Sequence, residues 1–313
     1  MTRTRRLLAL TLALFALSAC ASAPRPRETG QLVFWRIARA DGAGGSAHLL
    51  GSMHVAKDEL ALDPAIGAAF EAADELVLEV SPSELASPLV TNLIIDLGQL
   101  PEGQSFRELI APEVFAAVER RFRERKLPLE NWLGWEPWVV TLALASDQLE
   151  AEGFTREAGV ERALAADAIA AQKPARGLET TEGQIARFDA MPLATQELLL
   201  RDAVMGDSKA SPVDTLGLAW LRGDLDAMAR AIFAAPTGPD AAPYFEAIYH
   251  ERNRAFASGI AKLVDGGGRW FVAIGAGHMV GETAVPALLA ARGYQVERIP
   301  KTPRAPRRSR AKE

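Results

Sequence analysis

The sequence predicts a mixed α/β (α+β) fold: a small mixed β-sheet built from the N- and C-terminal parts of the chain, with a large helical middle between them. Three observations carry that expectation. Short apolar, partly β-branched or aromatic runs lie towards both ends, at residues 31–37, 47–50, 75–80, 270–274 and 294–299. Between them the apolar residues recur mainly at helical spacing, and proline or acidic residues stand at the starts of the runs. The 313 residues are 49% hydrophobic and 24% charged, with no Ser/Gly/Pro linker in the middle, so one sizeable core is expected.

In chain order, the basic segment 2–6 and the apolar run 7–17 form a leader too short to span a bilayer. Leu17-Ser-Ala-Cys20 follows and looks like the lipobox of bacterial lipoproteins. It implies a signal peptide at 1–19, cleavage before Cys20, acylation of that residue and a tether over 20–30. Ala21 after the cysteine favours the outer membrane over the inner one, so the expected place is the periplasmic face of the cell envelope. Cys20 is the only cysteine, which excludes an intrachain disulfide, a cysteine-rich metal site and a separate cysteine nucleophile.

Strands at 31–37 and 47–50 pair as a hairpin around the Gly-rich loop 38–46. A helix over 64–73 and a strand over 75–80 come next. Helices are expected at 85–97, 112–125, 137–150, 157–170, 180–188, 192–205, 212–221, 225–232 and 244–264, with one strand at 174–178. Strand 270–274, a helix over 286–292 stopped by Gly293, and strand 294–299 close the domain, which spans 31–300. Residues 301–313 are a Pro-rich basic tail expected to be solvated, with anionic lipid or glycan as its sharper option. The net charge of −5 becomes more negative once Arg3, Arg5 and Arg6 leave with the leader, and no nucleic-acid role is expected. Trp132, Trp135 and Trp138 are read as core.

The chemistry concentrates at two similar places. Gly51-Ser-Met-His54 and Gly275-Ala-Gly-His278 each follow a strand and precede a loop, a proline-started helix and another strand, which is a pseudo-repeat. Strand ends of open α/β sheets are where sites form. His48 and His250 sit in a strand and a helix, where exposed or structural roles are expected. Glu79 is an acid inside an apolar run and must find a metal, a histidine or an arginine from Glu251-Arg-Asn-Arg254. Glu179 is either a helix-start carboxylate or part of the site. Two imidazoles and one or two carboxylates suit a divalent ion, or acid–base work without one. HExxH, GxSxG and P-loop motifs are absent.

Leu49-Leu-Gly-Ser-Met-His54, Glu75-Leu-Val-Leu-Glu-Val80, Gly177-Leu-Glu-Thr180 with Gln184, Glu251-Arg-Asn253, and Ala273-Ile-Gly-Ala-Gly-His278 with Gly281 and Gly293-Tyr294 occur in that order. With these segments the chain resembles the TraB/PrgY/GumN family, related to the Tiki peptidases and more distantly to erythromycin esterase and ChaN-like haem-binding proteins. The resemblance covers residues 31–300. It implies a lipid-anchored extracytoplasmic hydrolase, a metal-dependent peptidase acting on a peptide or protein with a manganese- or cobalt-like ion, zinc not being excluded. His54, His278 and Glu79 are then the metal ligands, and Glu79 or a metal-bound hydroxide activates water. Arg252 orients Glu79 or stabilises an oxyanion, and Gly51, Glu179, Asn253, Gly275 and Gly277 support binding. The different-class alternative is a non-catalytic envelope protein that sequesters a peptide or haem.

Overall fold

In the computed structural model, which describes residues 30–303 apart from 86, 88 and 207–211, six strands join in one sheet. They are β1 (Gln31–Arg39), β2 (Ser46–Ser52), β3 (Glu75–Leu78), β4 (Ala175–Gly177), β5 (Arg269–Gly275) and β6 (Tyr294–Pro300), in the order β4-β3-β5-β2-β1-β6. Neighbours are parallel from β4 to β2, whereas β1 is antiparallel to both β2 and β6. The sheet is mixed and drawn mainly from the chain's ends, as the sequence predicts. The lipobox, the tether up to residue 29 and the basic tail from residue 304 lie outside the described residues.

β5 runs through the middle. Phe271, Val272, Ala273 and Ile274 are fully buried, the continuous apolar signature of a parallel strand covered on both faces. β2-α1-β3, with α1 at Pro64–Ala72, is a crossover that leaves room for β5 between its strands. β5-α14-β6, with α14 at Val285–Ala291, passes over both β2 and β1. The pseudo-repeat is therefore real in element order but not in sheet position.

The middle supplies α2 (Pro82–Leu85), α3 (Leu89–Gly98), α4 (Phe106–Leu109), α5 (Pro112–Arg125), α6 (Pro137–Ala151), α7 (Val160–Ala170), α8 (Thr181–Asp189), α9 (Leu193–Met205), α10 (Pro212–Arg222) and α11 (Leu225–Phe233). The helix expected over 85–97 is two pieces, α2 and α3, with the Ser87 hydroxyl accepting the Leu89 N–H at the second start. The helix expected over 244–264 is continuous but not uniform. α12 (Ala242–Phe245) passes through a π-turn at Glu246–His250 into α13 (Glu251–Asp265).

Phe256, Ala257, Ile260 and Val264 on α13 share the main core with the strands. A second apolar cluster joins α5, α6 and α9 around Phe122 and Leu200. Trp138 is fully buried beside Val139 and Ile185, so for this residue the core reading holds. Among the described residues no helix is long and apolar enough to cross a membrane.

The chain ends of the domain are pinned together. Lys301 N–H donates to Gly30 C=O at 2.8 Å, and Thr302 donates through its N–H (3.0 Å) and hydroxyl (2.5 Å) to Asp63. That Asp63 carboxylate also caps α1 through the Ala65 N–H.

Candidate functional site

Three adjacent parallel strands end side by side, and each delivers one piece of the site. β2 leads to His54, β3 to Glu79 and β5 to Gly275 and His278. β3 stops at Leu78, so Glu79 lies just past the strand end rather than inside it. Its backbone C=O accepts the Leu178 and Glu179 N–H groups at 3.0 and 2.8 Å, which fixes the turn where the carboxylate leaves the sheet.

Glu79 is 6% exposed and its charge is met from several sides. Oε1 accepts the Gly275 N–H at 2.6 Å, and Oε2 accepts Arg252 Nη2 at 2.5 Å and Gln184 Nε2 at 3.0 Å. Burial alone would raise this carboxyl; Arg252, His54, His278 and the Gly275 N–H together bring it down to about 2. Arg252, from the first turn of α13, also reaches Glu179 Oε1 at 2.5 Å and Ile248 C=O at 3.2 Å. Gln184 ties Glu179 to the same group at 2.8 Å. Glu179 therefore belongs to the site and is not just a helix-start carboxylate, that cap being the Thr180 hydroxyl.

The imidazoles approach Glu79 from two sides. His278 Nε2 lies 3.5 Å and His54 Nε2 3.9 Å from Glu79 Oε1. Each ring is held through its other nitrogen. His278 Nδ1 donates to Asn253 Oδ1 at 2.5 Å, since that oxygen can only accept. Asn253 donates on to Thr283 Oγ1 at 3.3 Å, and Thr283 meets His250 Nδ1 at 2.7 Å. His54 Nδ1 lies 2.7 Å from Glu161 Oε1, an acceptor that the Ser52 hydroxyl also reaches.

The two rings differ in charge. His278 is 3% exposed and packed edge-on against Phe256. Burial, helped by the positive Arg252 and His54, lowers it to about 3 against the pull of Glu79, so it is neutral in ordinary conditions. His54 stands 60% exposed at the mouth, and the Glu161 charge raises it to about 9.

The donor types, imidazole and carboxylate, are ones that divalent ions take. Both Nε2 atoms lie within 4 Å of one Glu79 oxygen, and both Nδ1 atoms are hydrogen-bonded, as those of metal-bound histidines are. The carboxylates of Glu79, Glu161 and Glu179 outnumber the Arg252 guanidinium, leaving negative charge to balance. Two donors bound to one ion at about 2.1 Å sit roughly 3–3.5 Å apart. His278 already meets that spacing, while His54 must close by about half an ångström. Among the described residues no three His, Cys, Asp or Glu side chains are already gathered into a metal cage.

The glycines explain the close approach. A Cβ on Gly275 would lie 2.8 Å from His54 Nε2 and 3.1 Å from Glu79 Oε1, in the middle of the site. On Gly51 it would meet Met279 and Val33, and on Gly277 the Tyr249 ring, so these two glycines serve packing. His48 stacks on Phe34 at 5.5 Å, away from the site. An open concavity of about 510 Å³ lies at the opposite end of the sheet. Its Arg39 and Arg269 are already paired with Asp41, Asp265 and Asp74, and it shares no residue with the histidine site.

Sequence reasoning missed Ser52, Glu161, Tyr249 and Thr283. Glu161 reads as an ordinary acid in the first turn of α7 and gives no separate signal.

The chain is 24% identical over 251 residues to the "Uncharacterized protein YbaP" of Shigella flexneri, covering 78% of this chain and 87% of that protein. Likeness to the protein of the same description from Escherichia coli (strain K12) is 24% over 250 residues, 77% and 87% of the two chains. No solved structure matches. The model of the TraB/PrgY/gumN family matches residues 33–298, which includes all three strand ends and every histidine described above. The chain therefore belongs to the TraB/PrgY/gumN family.

Proposed function

We propose that the protein is a metal-dependent hydrolase acting on peptides. The observation that carries this reading is the convergence of two Nδ1-braced imidazoles on one oxygen of a buried carboxylate. A divalent ion there would polarise a carbonyl and lower the pKa of bound water. His54, His278 and Glu79 would hold it.

The other roles belong to the chain itself. Glu79, held at about 2 and already accepting three hydrogen bonds, is a weak proton acceptor, so we assign it the ligand role over that of general base. Arg252 is committed to Glu79, Glu179 and Ile248, so it orients the carboxylate instead of meeting substrate. His54, at the mouth and held on Glu161 through Nδ1, would give up its Nε2 proton as the ion binds and present that nitrogen as a ligand. A haem is poorly served, because His278 is enclosed by Phe256 and Tyr249. Attachment to the cell envelope through Cys20, on the periplasmic side, completes the proposal.

The test is to strip the protein with a chelator and titrate Mn²⁺, Co²⁺ and Zn²⁺. A peptide library is then incubated with and without the bound ion. Stoichiometric binding and ion-dependent cleavage, both lost in His278→Ala and His54→Ala, are expected. Peptide uptake without product would favour the sequestering alternative, and cleavage indifferent to chelator would overturn the metal role.

A further inference from the structure

We infer that Glu161 is the positioning residue of this site, holding His54 by its Nδ1 so that Nε2 is presented to Glu79. The geometry stands alone, while its consequence for metal affinity rests on the proposed function. α7 brings Glu161 to a strand end far away in sequence, and the joint between them is tight. Val160 N–H donates to Met53 C=O at 2.9 Å, and Thr155 and Ala56 exchange hydrogen bonds at 2.8 and 3.1 Å. A Cβ on Gly159 would lie 2.3 Å from the His54 carbonyl oxygen. The helix start is thus seated on the backbone of the residue whose side chain it holds.

The carboxylate itself is unusual for a helix start. Acids in a first turn normally stay in water and answer the helix dipole. Glu161 is 8% exposed instead. Its Oε1 takes both the Ser52 hydroxyl and His54 Nδ1, while Oε2 is buried with no hydrogen-bond partner among the described residues. Such desolvation is costly unless the charge is paired and hydrogen-bonded, and His54 with the Ser52 hydroxyl supplies that. Here the carboxylate faces the ring that packing encloses least, because His54 is mostly exposed whereas His278 is buried. A carboxylate on Nδ1 fixes both the orientation of the ring and the nitrogen left for a ligand.

The experiment has two independent readouts on the purified protein. The first needs no metal: an imidazole N–H hydrogen-bonded to a carboxylate gives a far-downfield exchangeable proton resonance. That signal should be present in the wild type and absent in both His54→Ala and Glu161→Ala. In Glu161→Gln, which keeps the volume and an acceptor oxygen, it should move upfield. The second readout is Mn²⁺ affinity, expected to fall about 10-fold in Glu161→Gln and towards 100-fold in Glu161→Ala. A His54 resonance that survives in Glu161→Ala overturns the inference. So does Mn²⁺ binding that Glu161→Ala leaves unchanged while His54→Ala abolishes it. If the wild type takes up no Mn²⁺, Co²⁺ or Zn²⁺, the metal reading fails and the resonance still decides the role of Glu161.

Discussion

Glu79 accepts three hydrogen bonds in a place water barely reaches, so removing a partner leaves a charge with little to replace it. Arg252→Met would strand Glu79 and Glu179 together and should cost about 3–5 kcal/mol in urea unfolding. Arg252→Lys should recover only part of that, since one ammonium cannot reproduce the forked contacts to two carboxylates. A loss under about 1 kcal/mol would show that the carboxylates find other partners. Gly275→Ala tests the space instead of the charge. Its backbone (φ −49°) suits alanine, so stability should change by less than about 1 kcal/mol. The new methyl would push the His54 ring off Glu79, and Mn²⁺ affinity should fall at least about 10-fold. At this scale the sequence was informative where a residue type was out of place: histidines behind glycines, and an acid in an apolar run. Glu161 was out of sight because an acid in the first turn of a helix is where an acid is expected.

Elements were legible where their boundaries carry chemistry. α5, α6 and α14 begin with proline at the first turn, and the expected starts fall within a residue or two of the observed ones. Single turns such as Phe106–Leu109 are too short to show a period, and they were missed. The π-turn was missed for a different reason: the apolar pattern of 244–264 continues through it. There Glu251 N–H reaches back to Glu246 C=O, and the turn sets Tyr249 against His278 with ring centres 5.7 Å apart. Which helix would reach the site from the middle of the chain has no local signature at all. The joint between α7 and the His54 loop gives the prediction proper to this scale. Gly159→Ala sets a methyl against two backbone oxygens, those of His54 and Arg156. It should destabilise the fold by about 1–3 kcal/mol in urea unfolding and weaken the downfield His54 resonance. Unchanged stability would mean that α7 can move without cost.

Across the whole molecule, the buried titrating groups decide how stability follows pH. His278 is held at about 3 by burial, below its unfolded value of 6.5. Between those values the unfolded chain binds a proton that the folded one refuses, so stability falls as the pH drops from 6.5 towards 3. The loss is on the order of 4 kcal/mol. His54, raised to about 9, works in the other direction: its contribution is complete below 6.5 and is lost as the pH rises through 9. Urea midpoints measured from pH 4 to 10 should therefore fall on both sides of neutrality. His278→Asn should flatten the acid side, and an unchanged acid slope would mean that the ring titrates normally.

The hydrogen bond between Gly30 and Lys301 joins two ends at a telling place. β1 runs against β2, and β6 against β1, so the first residue of β1 and the last of β6 lie at the same end of the sheet as Ser52, Glu79 and Gly275. If Cys20 carries lipid, the leash from there to Gly30 spans at most about 35 Å fully stretched. The histidine mouth would then be kept close to the bilayer, and the substrates within easiest reach would be those already near its surface.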